Sequence, residues 1–169
     1  MKRFSQSLTT MVFGLFLAAS TQALETGEDA PPFSLPGIEN AAEGQAIALE
    51  QYQGKVVYVD FWASWCGPCR RSFPKLEALH QKYGEQGFEV IAINLDEQEA
   101  DAHKFLDEHP VSFPIAWDPE GKVAGEYQLK GMPSAFLLDR DGTVHHVVVG
   151  FNEKDAAAIE AAINQLTKE

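Results

Sequence analysis

Two stretches of the chain are apolar at nearly every position. Val56–Trp62 and Phe88–Asn94 are rich in β-branched and aromatic side chains and lack the alternation of a half-exposed strand, so each predicts a strand covered on both faces. Between them Phe73, Leu76, Leu79 and Tyr83 recur at helical spacing, and Gly84 and Gly87 end the pattern. This predicts a helix that starts near Cys66. Pro74 falls inside it and brings no amide hydrogen, so a kink is expected there. Strand, helix and strand make a right-handed βαβ unit.

Downstream, Asp96 stands where it would cap a helix over residues 97–109, whose apolar side is Ala102, Phe105 and Leu106. A short strand over 113–116 and a short helix over 123–127 follow. Ala135, Phe136, Leu137 and Leu138, then Asp141-Gly142, then residues 144–149 read as a hairpin with Asp-Gly in the turn. Ile159, Ala162, Ile163 and Leu166 share one face of a closing helix over 153–166, capped by Asn152. Residues 24–50 read as an irregular lead-in, with short strands over 33–35 and 47–49 and turns at Pro31, Pro32, Pro36 and Gly37. The element order predicts one α/β domain over residues 24–169, a mixed sheet flanked by helices.

Residues 1–23 belong to a different pattern. Lys2 and Arg3 precede an apolar stretch over 8–19, and small residues run on to Ala23. That is the form of a secretory signal peptide cut near Ala23, and the apolar run is shorter than the ~20 residues of a membrane span. A periplasmic location is expected, with an uncleaved anchor as the alternative. The 169-residue chain carries a net charge of −12; removing 1–23 takes two bases and no acid, leaving 11 basic against 25 acidic side chains and a charge of −14. Such a surface repels nucleic acid and anionic lipid.

Export sharpens the meaning of the two cysteines, because an oxidising compartment pairs spare thiols. Both lie in one motif, Cys66-Gly67-Pro68-Cys69. A two-residue spacer closes so small a loop that a purely structural bridge would restrict the unfolded chain little, so the spacing points to redox chemistry. A cysteine between a buried strand and a helix start meets unpaired amides and the positive dipole end, which favour the thiolate. Such sites titrate at about 7 or below, against ~8.5 for a free thiol. Cys66 is expected to attack, and Cys69, one turn further in, to resolve the mixed disulfide. Zinc is not expected: it takes four ligands, a second cysteine pair is absent, and none of the five histidines has finger-like spacing. His145 and His146 would alternate faces in a strand, and each histidine is expected at the surface.

The segment Asp60-Phe61-Trp62-Ala63-Ser64-Trp65-Cys66-Gly67-Pro68-Cys69 resembles the active-site strand and motif of thioredoxins. Pro74 resembles the kink proline of their active-site helix, and Gly131-Met132-Pro133 their substrate-binding loop. The lead-in over 27–35 and the long stretch between Asn94 and Pro133 are similar to the exported TlpA-type branch. The resemblance covers nearly all of residues 24–169. It implies a thioredoxin fold with an inserted helix and strand and an N-terminal extension, a cis Pro133 facing the cysteines, and no bound cofactor. It also implies thiol-disulfide exchange with disulfide-containing or dithiol client proteins, usually reductive, and a membrane electron donor of the DsbD type. Some relatives serve cytochrome c maturation, but Ser72 stands where those carry a glutamate. Asp60 matches the acid of cytoplasmic thioredoxins, yet Ala92 stands where their lysine would be.

An Asp inside an apolar strand is costly unless it works or is paired, and burial should raise its pKa. A carboxylate poised near neutrality suits removal of the proton from Cys69 during resolution. The other reading of Asp60 is a strand-end Asp bonded to backbone. Trp65 is expected to offer apolar surface beside Cys66, and Trp62 to pack in the core. Met132 either touches the client or packs. Gly67 and Pro68, as the inner dipeptide, favour a reductant over an oxidase or isomerase. A thiol peroxidase and a non-catalytic binding module of the same fold are the remaining alternatives.

Overall fold

The computed structural model describes residues 24–42 and 44–169, so the expected signal segment 1–23 lies outside the described residues. In chain order the strands are β1 (Ser34–Glu39), β2 (Ala46–Ala48), β3 (Val56–Trp62), β4 (Phe88–Asn94), β5 (Ile115–Trp117), β6 (Ser134–Leu138) and β7 (Val144–Val149). The helices are α1 (Cys69–Tyr83), α2 (Glu99–Glu108), α3 (Lys122–Glu126) and α4 (Glu153–Leu166). The seven strands form one sheet in the order β2-β1-β5-β4-β3-β6-β7. β3 runs parallel to β4, from Val56 opposite Phe88 to Trp62 opposite Asn94, and antiparallel to β6. β4 and β5 are also parallel, which makes two consecutive βαβ crossovers through α1 and α2.

Side chains along a strand alternate faces, and here each face has its own core. Val56, Tyr58 and Trp62 pack with Phe73 and Leu76 of α1, Phe105 of α2 and Ile163 of α4. Val57, Val59 and Phe61 pack on the other side with Phe33 of the lead-in and Val123 and Tyr127 around α3. All seven residues of β3 are buried, as its unbroken apolar run predicts. The hairpin β6–β7 and the helix α4 also fall where the pattern placed them. Pro74 lies within α1.

Four local expectations are corrected. Asp96 does not cap α2: the cap position is Gln98, with no side-chain bond, and the Asp96 carboxylate is engaged elsewhere. Pro36 and Gly37 lie inside β1, not in a turn, because β1 is held by β2 on one side and β5 on the other, with a register shift at Gly37. Glycine is needed there: a Cβ on residue 37 would lie 2.5 Å from that of Ala41. His145 and His146 do not alternate cleanly, since β6–β7 shifts register between Leu137 and Leu138 and the two rings stack at 5.8 Å. All five histidines lie partly exposed at the surface, as expected, and His80 sits 2.7 Å from Glu89 through Nε2. β5 is displaced two residues from the expected strand start.

The cap on α4 is as expected. The Asn152 side chain accepts from the Lys154 and Asp155 amides, both at 3.0 Å. Replacing Asn152 with Ala is expected to cost about 1 kcal/mol of stability, measured by denaturant unfolding.

Candidate active site

β3 delivers the motif. Its last residue, Trp62, is followed by a tight turn in which the Cys66 amide donates to the Ala63 carbonyl at 3.0 Å. The Cys69 amide then donates to the Cys66 carbonyl at 3.1 Å. Helix α1 starts at Cys69 with Pro68 as its N-cap, so Cys66 stands ahead of the helix rather than in its first turn. Pro68 suits this position because its fixed φ matches a helix and it lacks an amide that would go unpaired. Cys66 and Cys69 are joined in a disulfide, with their Cα atoms 5.4 Å apart.

Both cysteines are buried in the oxidised pair. Cys69 is fully buried at 0% exposure, while Cys66 retains 3%. Trp65, immediately before it, is 68% exposed, whereas Trp62 is fully buried against Phe73 and Phe105. Gly67 is exposed, and nothing lies within 4 Å of where its Cβ would be, so the motif has open space beside it. The Met132–Pro133 peptide is cis. Ser134 lies opposite Phe61, so Pro133 enters β6 beside the end of β3 from which the motif leaves. Met132 packs against both cores, one of which contains the two cysteines. The loop is braced by Ser134 Oγ donating to the Gly131 carbonyl at 2.7 Å and by the Gly150 amide donating to the Pro133 carbonyl at 2.8 Å.

Asp60 is 2% exposed and faces Ala92 on β4 and Ala135 on β6. The position opposite it on β4 therefore holds a methyl group and no cation. Its Oδ2 has no hydrogen-bond partner, and neither does Nε1 of Trp62, two residues on along the same face. Burial pushes the Asp60 carboxyl up from an ordinary 3.8 to about 8. Unpaired buried polar atoms cost about 1–3 kcal/mol each and are concentrated where function retains them. Ser72 is buried in α1, its hydroxyl donating to the Cys69 carbonyl at 3.1 Å, so no carboxylate occupies that place. Among the described residues no group of three or more His, Cys, Asp or Glu could hold a metal ion.

One part of the site carried no signal in the periodicity. Ser64, in the turn, is bonded to Asp96 beyond the end of β4, and Asn94 completes the cluster. The available clue was two polar residues at the end of a buried strand, Asn94 as its last residue and Asp96 two further on.

The sequence matches the AhpC/TSA family over residues 26–147. The chain belongs to this family. It is 33% identical over 158 residues to thiol-disulfide oxidoreductase ResA of Bacillus cereus, across 94% of this chain and 87% of that one. The same protein of Bacillus anthracis is 32% identical over the same coverage. A crystal structure named as thiol:disulfide interchange protein DsbE from Chlorobium tepidum superposes with a TM-score of 0.80 and 46% identity, covering 86% of this chain and 99% of that one. Fold, family and bonded cysteine pair together make the chain a thiol-disulfide oxidoreductase of the thioredoxin fold.

The buried Asp60 makes stability depend on pH. Below 3.8 both the folded and unfolded chains hold its proton, and between 3.8 and about 8 the folded chain alone does. Stability is therefore lost as pH rises through that window. Asp60→Asn escapes the loss, so from pH 5 to pH 8 it should gain on the wild type by up to roughly 4 kcal/mol. Urea unfolding of both proteins at the two pH values tests this, and a constant difference would contradict it.

Proposed function

We propose that this oxidoreductase works in the periplasm as a reductant of disulfides in exported client proteins. The observation that carries the reading is the bonded Cys66–Cys69 pair directly after an exposed Trp65. In the reduced enzyme the Cys66 thiolate attacks a client disulfide, forming a mixed disulfide and releasing one client thiolate. Cys69 then attacks the Cys66 sulfur, which frees the second client thiol and leaves the enzyme oxidised. Asp60 takes the Cys69 proton in this second step through the minor ionised fraction that a carboxyl pKa of about 8 leaves at neutral pH, a fraction that grows as pH rises toward 8. Trp65, Gly67, Pro68, Met132 and Pro133 form the surface that receives the client chain. The periplasmic location rests on the pattern of residues 1–23.

The reductive direction rests on Gly67 and Pro68. Strong oxidants of this fold overstabilise the reduced form, typically through a histidine between the cysteines, and none stands there. A moderately stabilised Cys66 thiolate is the poorer leaving group, so the reduced form donates electrons readily. The oxidised enzyme then needs recharging, and a membrane donor of the DsbD type is the proposed source.

Cys66→Ser is expected to abolish insulin reduction, and Cys69→Ser to accumulate mixed disulfides, seen on non-reducing gels. Greater alkylation of Cys69 than of Cys66 in the reduced protein would reverse the two roles. Asp60→Asn should form mixed disulfides normally but resolve them slowly; turnover equal to the wild type across pH 6 to 8 removes Asp60 from that step.

Equilibration with glutathione tests the direction. The expected potential lies nearer the thioredoxin figure of about −270 mV than the DsbA figure of about −120 mV. A value above about −180 mV, that of protein disulfide isomerase, would instead favour the oxidase or isomerase reading.

A further inference from the structure

Asp96 is the most heavily engaged polar side chain at the active end of the sheet. Pairing continues one residue beyond β4, where the Leu95 amide donates to the Trp62 carbonyl at 2.9 Å, and this brings Asp96 beside the turn that follows β3. Asp96 is 3% exposed. Its Oδ2 accepts from the Ser64 amide at 2.9 Å and from Asn94 Nδ2 at 2.7 Å, and its Oδ1 accepts from Ser64 Oγ at 2.9 Å. Its backbone is held as well, with its amide donating to Asn94 Oδ1 at 3.0 Å and its carbonyl accepting from Trp117 Nε1 at 2.8 Å. A group fixed from both β4 and β5 thus grips one residue of a turn by two bonds.

That residue is placed to matter. The Cys66 amide bonds back to Ala63, so Ser64 and Trp65 lie inside a closed turn whose far end is Cys66. With Ser64 held at both its amide and its hydroxyl, the turn has little freedom to rotate, and the approach of Cys66 toward the start of α1 is set with it. Neither Ser64 nor Asp96 belongs to the Cys-Gly-Pro-Cys motif. Through Trp117, the clamp also ties the inserted strand β5 to the reactive loop.

We propose that Asp96, acting through Ser64, is a positioning residue for thiol exchange: it holds the turn that presents Cys66 and so sets that thiol's reactivity. The step it serves is attack of the Cys66 sulfur on a client disulfide, in which the new sulfur–sulfur bond forms as the client's breaks and the displaced sulfur leaves as a thiolate. The inference rests on the reading of Cys66 as the attacking thiol. Charge-assisted bonds to a buried carboxylate are the kind that fix geometry as well as hold it together.

The test compares the reduced wild type with Ser64→Ala, Ser64→Thr and Asp96→Asn. Cys66 alkylation by iodoacetamide is followed against pH, and each protein is equilibrated with glutathione. Ser64→Ala deletes one of the two grips and leaves the backbone bond. It should raise the midpoint of the alkylation profile and slow the reaction at pH 7 about five-fold, the equivalent of one hydrogen bond. Ser64→Thr keeps the hydroxyl and should restore both the profile and the glutathione equilibrium. A melting temperature that falls in Ser64→Ala while both thiol readouts stay at the wild-type value overturns the proposal, as does failure of Thr to rescue. Asp96→Asn presents a donor to groups that donate and should exceed Ser64→Ala in effect; if it does not fold, the Ser64 pair decides alone. A wild-type protein whose Cys69 alkylates in place of Cys66 would remove the assignment of the attacking thiol, and the clamp's role with it.

Discussion

Burial of β3 on both faces and along both edges is the constraint from which the remaining architecture follows. A strand whose seven side chains are all covered needs a strand at each side and a packed layer above and below. β4 and β6 supply the sides, with α1, α2 and α4 on one face and the lead-in with α3 on the other. Such a strand meets solvent at its ends. The motif leaves from the carboxyl end, and the register of β6 brings Pro133 to the same end. Open α/β sheets place their chemistry outside the carboxyl ends of their strands, and the disulfide here obeys that rule.

The same constraint explains the condition of Asp60. A carboxyl in the middle of a covered strand loses its hydration, and the residues across from it, Ala92 and Ala135, offer methyl groups in exchange. Nothing there lowers the cost of the charge, so the proton stays on to about pH 8. The unpaired Nε1 of Trp62 on the same face adds a second unsatisfied group to the core that holds the cysteines. Polar atoms left unpaired at one end of an otherwise apolar core are a loss that the surrounding packing offsets, which ties the chemistry of this end to the stability of the whole.

Much of this was legible in the sequence for a definite reason. β3, β4, the β6–β7 hairpin and α4 are each specified by side chains within the element, through an unbroken apolar run, an Asp-Gly turn, or a cap with a helical stripe. The buried Asp60 lies in β3, and the motif follows directly after it. What escaped depends on partners distant in sequence. Asp96 looks like a helix cap until Ser64, 32 residues earlier, is brought against it. Pro36 and Gly37 look like a turn until β2 and β5 pair on either side, and the two histidines of β7 look alternating until the β6 register slips. The ends of β5 and α2 are set by packing against the sheet, which local periodicity does not record.

A redox protein of this design has to stay folded while its one cross-link opens and closes, and the loop length makes that possible. By chain entropy alone, closing a four-residue loop removes about 2 kcal/mol of unfolded-state freedom, against about 3 for a fifteen-residue loop and more for longer ones. The two cores are built from residues of all seven strands or the helices around them, and the disulfide joins residues already neighbours through the turn that starts α1. Opening it therefore removes little of what holds the sheet and the two cores together. The energy of the sulfur–sulfur bond is then largely separate from the energy of the fold, and the groups proposed to set its exchange are local: the start of α1, the turn held at Ser64, and the buried carboxyl of Asp60.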